Sequence, residues 1–266
     1  VPAVILDRFR LDDRVAVVTG AGRGIGAGCA RALADAGAHV VVAARTPEEI
    51  EGTAKEVEAR GRRSLAVECD VMERADLERL VETTREAFGR IDIVVNNAGG
   101  WPPREALRTS ERAMDEAFHF NVTTAFVLSR LAVPVMVETA GSGSIVNISS
   151  RAGAIVQPGF AAYGTAKAAL SFLTRQLGTE FAPKVRVNAI EVGSVATDAL
   201  AFVMQDDAMR RQMEQATPMR RLGHVDDIAA CVVYLSSDAA SWVTAKVFEV
   251  DGGLEHPQFS FPTTPL

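Results

Sequence analysis

Tyr163 and Lys167 stand four residues apart in the run Tyr163-Gly164-Thr165-Ala166-Lys167. On a helix this spacing brings both side chains out on one face. A phenol and an ammonium so placed can handle a proton together. A free phenol titrates near pH ~10 and is a poor acid or base at neutrality, but a neighbouring positive charge favours its anion. Ordinary exposed helices carry such pairs too, so the pair needs company. The chain has only 2 tyrosines, and Ser150 ends an apolar run just before the Tyr163 segment. From there its hydroxyl can donate a hydrogen bond to a substrate oxygen. Asn121, in Phe120-Asn121-Val122, sits inside an apolar helical stretch. A polar amide there needs either local backbone partners or a water that passes protons.

A second group of residues suits a nucleotide. Thr19-Gly20-Ala21-Gly22-Arg23-Gly24-Ile25-Gly26 lies between a Val-rich run and a segment of helical spacing. Glycines there let backbone N–H groups approach a pyrophosphate, whose charge is favoured at a helix N-terminus. A glycine triplet alone is a weak sign; a preceding strand, a following helix and a second strand ending about 20 residues later strengthen it. At that second strand end a site for NAD usually offers a carboxylate to the ribose 2′-hydroxyl. Here the sequence reads Val42-Ala43-Ala44-Arg45-Thr46. Arg45 is a planar donor fork suited to a 2′-phosphate, and Arg23 can close on the same group from the glycine loop. NADP(H) is therefore expected over NAD(H); the plainer reading of Arg45 is a solvated surface arginine. Asp70, followed by Val71, ends the third apolar run and is placed to accept a hydrogen bond from an adenine amino group. Asn96-Asn97-Ala98-Gly99 ends the fourth, where small residues let a dinucleotide lie close to the backbone and the asparagines tie neighbouring strands. Taken alone, that segment reads equally as a polar loop with a glycine turn.

These residues need a scaffold. Seven apolar runs, 14–19, 39–44, 64–70, 91–96, 144–149, 185–190 and 246–250, alternate with longer helix-like segments. Each run is apolar nearly throughout, as strands covered on both faces are, and the segments between are long enough for crossover helices. The pattern predicts an α/β fold, a doubly wound (Rossmann) parallel sheet of seven strands with helices on both faces, in one domain over 1–266. Ile25, Cys29, Leu33 and Ala36 have helical spacing, and Gly37 sits where that helix would stop. Residues 198–217, with Met204, Met209 and Met213 on a loosely apolar face, directly follow the sixth run. Ligands bind outside the carboxyl ends of strands in such sheets, so this helical insertion is expected to cover the site; a plain packed helix pair is the alternative. Residues 256–266 hold three prolines and two phenylalanines and predict an extended tail, packed on a neighbouring subunit or disordered.

The bulk numbers exclude several classes. With 48% hydrophobic and 23% charged residues over 266 positions, the chain is an ordinary globular one. A net charge of -6 with interleaved signs and no basic block argues against nucleic acid as a partner. Cys29, Cys69 and Cys231 are odd in number and far apart, which suggests neither a disulfide framework nor a zinc site. His39, His119, His224 and His256 are too scattered to hold a metal. Residues 1–11 are too short and, with Asp7, Arg8 and Arg10, too charged for the core of a signal peptide. No run of about 18 apolar residues suggests a membrane span. A cytoplasmic protein is expected.

Together these motifs resemble those of the short-chain dehydrogenase/reductase family over roughly residues 10–253. Thr19 to Gly26 matches the family's Thr-Gly-x-x-x-Gly-x-Gly, Asn96 to Gly99 its Asn-Asn-Ala-Gly, and Tyr163 to Lys167 its Tyr-x-x-x-Lys. Ser150 has the separation from Tyr163 of the family's catalytic serine, with Ser149 its less favoured neighbour, and Asn121 matches the asparagine of its proton relay. The resemblance implies an oxidoreductase. Tyr163 would be the general acid in reduction and the base in oxidation, and Lys167 would lower its pKa and hold the nicotinamide ribose. Ser150 would position the substrate oxygen, and Asn121 would anchor a water joining Lys167 to solvent. It also implies a cofactor lining of Gly20, Arg23, Gly24, Ile25, Gly26, Arg45, Asp70, Val71, Asn97, Ala98, Gly99, Tyr163, Lys167, Gly193, Val195 and Thr197, with no metal. Arg45 again resembles the NADP-preferring members. A homotetramer is implied, packed through the helices around 121–136 and 165–181, the first kinked at Pro134. One departure stands out: the family usually has Pro-Gly after the sixth strand, and this chain has Val192-Gly193. Val192 lacks proline's fixed φ, which loosens the path expected of the loop where Val195 and Thr197 would hold the nicotinamide amide.

Trp101, Pro102 and Pro103, residues 156–160 and residues 202–213 are expected to line a mostly apolar substrate pocket, unless they pack on one another or on a subunit. Such a pocket suits a hydrophobic ketone or secondary alcohol, such as a steroid, terpenoid or acyl-thioester β-ketone. The resemblance suggests 3-oxoacyl carrier reductases and hydroxysteroid dehydrogenases as near relations. Three alternatives stay open: an NAD-dependent alcohol dehydrogenase of the same family, an epimerase or dehydratase on the same fold, and a Rossmann protein that binds a dinucleotide without turnover. The last has no reason to keep Tyr163, Lys167, Ser150 and Asn121 together.

Overall fold

The computed structural model describes residues 4–201, 205–259, 261 and 264. Seven parallel strands form one sheet in the order β3-β2-β1-β4-β5-β6-β7. They are β1 (Val15–Thr19), β2 (His39–Ala44), β3 (Ser64–Glu68), β4 (Ile93–Asn96), β5 (Gly143–Ser150), β6 (Val185–Val192) and β7 (Val247–Val250). The expected doubly wound sheet is present. β3 stops short of Asp70, while β5 and β6 run on to Ser150 and Val192.

Ala16, Val18, Val40, Val42, Ile93 and Val95 point into one layer, with α1 (Gly24–Asp35), α2 (Pro47–Glu58) and α8 (Val225–Ser236). Their neighbours Val17, Val41 and Val94 point into the other, with α3 (Arg74–Phe88), α5 (Thr124–Ala140) and α6 (Ala161–Glu180). Successive strand residues face opposite sides, so a sheet covered on both must be apolar at every position; hence the unbroken runs in the sequence. β1 pairs with β2 on one side and with β4 on the other. The chain's progression reverses there, and a crevice opens at the carboxyl ends.

α4 (Glu111–Phe118), a π turn at His119–Thr123 and α5 form one helical stretch. By length and composition alone, Glu111–Ala140 is long and apolar enough to cross a bilayer, a test that a helix packed in a core also meets. Asn121 and Arg130 interrupt its apolar run, so it holds no unbroken stretch of about 18 apolar residues. Leu128, Ala132 and Met136 bury one side of this helix against the sheet, and Pro134 lies within it.

After β6 come a short turn at Asp198–Leu200 and α7 (Asp207–Ala216). Phe202 and Met204 lie outside the described residues. Met213 is fully buried against Leu222 in a small core of its own, with Met209 half-buried upon it. Of the described methionines in the expected face, Met209 alone reaches the crevice; Met213 is core, because α7 turns that side inward.

Candidate active site

The carboxyl ends of β1, β4, β5 and β6 open into a cavity of about 710 Å³, within the range of small-molecule and cofactor sites. Ser150, Tyr163 and Lys167 line it together with Arg23, Gly24, Ile25, Asn97, Gly99, Gly193, Val195 and Thr197. Ser150 is the last residue of β5, and its hydroxyl also accepts the Ala152 N–H at 3.2 Å. Tyr163 and Lys167 lie one turn apart on α6, with the Lys167 Nζ 5.7 Å from the phenol ring centroid. The same Nζ donates to the Ile148 carbonyl at 2.8 Å. A proton donor, a hydroxyl and an amine thus share one wall.

Asn121 sits in the π turn, a local widening of the helix that recurs at functional sites. Its Oδ1 accepts the Gly100 N–H at 2.9 Å, and its Nδ2 donates to the Gly100 and Ala117 carbonyls at 3.0 and 2.9 Å. Backbone partners therefore satisfy the amide. It still stands close to the amine: a Cβ on Gly99 would come within 2.8 Å of Asn121 Oδ1 and 3.1 Å of Lys167 Nζ.

Burial dominates the electrostatics. It pushes the Tyr163 phenol above its ordinary value, with the Ser150 hydroxyl acting in the opposite direction. It pushes the Lys167 amine down to about 8. The expected depression of Tyr163 by Lys167 is not what the chain alone achieves, because the same desolvation that holds the phenol neutral weakens the lysine's charge.

The amino-terminal side of the cavity fits a dinucleotide. No side chain caps the first turn of α1, which leaves backbone N–H groups for an anion. Any Cβ on Gly26 would collide with the Gly20 carbonyl, so the strand-to-helix turn admits only glycine there. Thr19 Oγ1 accepts the N–H groups of Asn97 and Ala98, each at 3.1 Å, and Asn97 Nδ2 donates to the carbonyls of Thr19 and Gly20 at 2.9 and 3.0 Å. Gly20, Gly26 and Ala98 therefore form the floor beneath the cavity wall. Asn96 lies deeper, donating to Asn147 Oδ1 at 2.8 Å across to β5. Arg45 is exposed at the end of β2. Asp70 lies beyond β3, accepting the Met72 N–H at 3.0 Å, and Val71 is core; neither is in the cavity wall. Among the described residues no cluster of His, Cys, Asp or Glu could hold a metal.

The substrate side departs further from expectation. Trp101, Pro103, Gln157, Phe160 and Met209 are in the wall, but Pro102 is not, and Val156 is 90% exposed. Apolar character does not fix direction, and Val156 lies where the loop turns outward. Arg151, Ile155 and Leu254 belong to the wall without having been foreseen, as do Pro257, Gln258, Phe259 and Phe261 of the tail, whereas Leu200 comes from the insertion expected to cover the site. The described tail residues fold back over the cavity of their own chain. Their one sequence signal is a pair of aromatics in a proline-rich end.

A family model described as Enoyl-(Acyl carrier protein) reductase matches residues 20–255. An uncharacterized oxidoreductase of Mycobacterium tuberculosis (strain CDC 1551 / Oshkosh) is 51% identical over 99% of this chain and 100% of its own length. The 7alpha-hydroxysteroid dehydrogenase of Escherichia coli (strain K12) is 37% identical over 93% of this chain and 96% of its own. A solved 7alpha-hydroxysteroid dehydrogenase, complexed with NADH and 7-oxo glycochenodeoxycholic acid, superposes with a TM-score of 0.91 at 36% identity, covering 96% of this chain and 99% of that one. A gluconate 5-dehydrogenase from Burkholderia cenocepacia J2315, in complex with NADP and tartrate, gives 0.88 at 31%, covering 94% and 98%.

Proposed function

The chain belongs to the short-chain dehydrogenase/reductase family, whose members act on CH–OH groups with NAD(P), and from that premise we propose that it interconverts a hydrophobic ketone and a secondary alcohol using NADP(H). The observation that carries this reading is the convergence of Tyr163, Lys167 and Ser150 on the cavity that the glycine loop also lines. A bound nicotinamide dinucleotide gives or takes the hydride at the substrate carbon. Tyr163 Oη gives the carbonyl oxygen its proton in reduction and removes it in oxidation. Ser150 Oγ holds that oxygen by a hydrogen bond. Lys167, its amine brought down to about 8 by burial, replaces the phenolic proton, and Asn121 sits beside it in the π turn. Burial keeps the phenol protonated, the form that donates in reduction.

Arg45 supports NADP(H), since the end of β2 offers no carboxylate in its place. Arg23 is 67% exposed, at 3.9 Å from Glu49 and 3.7 Å from Asp198, pairs loose enough for a phosphate to displace. Glu49 favours a second reading: its side chain lies against Gly22, where it could accept from a free 2′-hydroxyl and so suit NAD(H). The Kd values of NADPH and NADH for the wild type, Arg45→Ala and Glu49→Gln decide between them. We expect Arg45→Ala to weaken NADPH alone, by about tenfold, or ~1.4 kcal/mol. Tighter NADH binding that Glu49→Gln abolishes would establish the second reading instead.

Trp101, Pro103, Phe160 and Met209 supply an apolar wall suited to a bulky ketone. Phe126 and Val137 on α5 and Phe172 on α6 are exposed apolar side chains, which support a homotetramer built on these helices. Three free cysteines and a diffusible cofactor support a cytoplasmic enzyme.

A further inference from the structure

Arg151 directly follows Ser150 and is buried, yet the proton chemistry does not use its charge. Its guanidinium meets three carboxylates. Nη1 is 3.2 Å from Glu191 Oε2 and 2.6 Å from Glu249 Oε1, and Nε is 2.8 Å from Asp251 Oδ2, an ion pair whose two atoms are not aligned for a hydrogen bond. The Glu191 and Asp251 side chains are 8% and 7% exposed, and Ser171 Oγ donates to Glu191 Oε1 at 2.9 Å. Burying such a group costs desolvation that attraction barely offsets, so its use lies in fixing position more than in stability. The fork also reaches the tail: Nη2 donates to the Leu254 carbonyl at 3.0 Å, where the chain leaves β7.

A second anchor lies four residues on. Gln258 is buried; its Nε2 donates to Thr217 Oγ1 at 2.5 Å and to the Met213 carbonyl at 3.2 Å, and its Oε1 accepts from Ser194 Oγ. Between β7 and Phe259 the chain forms no helix or strand, and beyond Gly252, whose carbonyl accepts the Met219 N–H at 3.1 Å, side chains hold it in place. With both anchors set, Phe259 lies edge-on to Phe160 at 6.5 Å, and Phe160 lies 6.2 Å from the Tyr163 ring. Gln157 Nε2 donates to the Phe259 carbonyl at 3.3 Å and ties the two sides together.

We infer that Arg151 and Gln258 are positioning residues that hold the tail of this same chain across the cavity, so that Phe259, backed by Phe160, forms the wall selecting bulky hydrophobic ketones over small ones. The selectivity rests on the ketone reading above; the anchoring does not. The guanidinium suits this task because its planar fork spans the carboxylates and the Leu254 carbonyl at once, which one ammonium cannot do.

Two measurements test it. Proteolytic cleavage within the 254–259 segment of the full chain, followed by mass spectrometry, should quicken about tenfold in Arg151→Lys, which keeps the charge among the carboxylates, and in Gln258→Leu, with cleavage elsewhere in the chain unchanged. The ratio of kcat/KM for a decalone to that for butanone should fall about tenfold in each variant and in Phe259→Ala. In Arg151→Lys/Phe259→Ala it should fall no further than in the worse single variant, because both changes remove the same wall. Unchanged cleavage overturns the anchoring, and additive losses or an unchanged ratio overturn the selectivity. If neither ketone is reduced, the functional reading fails while the cleavage result still decides the anchoring.

Discussion

The two sides of the cavity are held by different means. The nucleotide and proton side is built from strand ends and helix starts: the glycine turn between β1 and α1, the end of β4, and one face of α6. There the backbone itself leaves no room, as the Gly20 carbonyl behind Gly26 shows. The substrate side is built from α7, loops and the tail, joined by single side chains that reach across 102 or 103 positions of sequence. Backbone holds the chemistry and side chains hold the selectivity. Substitutions on the first side should therefore cost every substrate alike, and those on the second should cost some substrates more than others.

The sharpest division comes from Tyr163→Phe. Removing the positioned acid should lower kcat by about 10²–10⁴ for bulky and small ketones in equal measure. A loss confined to bulky ketones, measured side by side with butanone, would erase the distinction between the two sides.

The next effect concerns stability. Lys167 has its folded-state value lowered from 10.5 to about 8 by burial. Between these values the unfolded chain binds more protons than the folded one, so stability should rise with pH across that window. The penalty of a buried charge, about 3 kcal/mol, is fully present below pH 8 and relieved toward 10.5. The buried thiols Cys29 and Cys69, pushed up to about 12, act in the opposite direction above their ordinary value. Urea unfolding of the wild type and Lys167→Met at several pH values cancels them by subtraction. A difference that stays flat from pH 8 to 10.5 would mean that water reaches the amine and that this wall is less closed than its packing indicates.

Gly26→Ala should act on the glycine turn itself. Its new methyl would meet the Gly20 carbonyl and come within 2.5 Å of Asn97 Nδ2. The cost should be about 1–3 kcal/mol, visible as a lower Tm together with weaker binding of either dinucleotide. Binding and Tm both at wild-type values would show that the loop yields.

The same division explains what could be read in advance. The seven strands, the glycine turn and the Tyr163–Lys167 pair have local causes: apolar runs, a glycine between strand and helix, and a four-residue spacing. Asn121 needed only its place in an apolar helix. Arg151 and Gln258 have distant causes. Their partners lie 40 positions away at Glu191, 103 at Leu254 and 41 at Thr217. In sequence, a lone arginine after a serine or a glutamine in a proline-rich end reads as surface. Val156 and Met213 mislead for a related reason: one points to solvent and the other into a core, and only the path of the chain decides which.

The smallest expected effect tests the substrate side without touching its anchors. Met209 projects from α7 into the cavity wall and rests on the small core of Met213 and Leu222. A half-buried methionine in a wall with many other members contributes part of a full side chain's burial, so Met209→Ala should cost about 1 kcal/mol of binding to a bulky ketone. This would raise its KM about fivefold. Butanone should be turned over as before, since it need not reach α7, and the pH dependence of kcat should keep its shape because Tyr163 and Lys167 keep their surroundings. A shifted pH profile would mean that α7 governs water access to the phenol, and the two sides of the cavity would then be one.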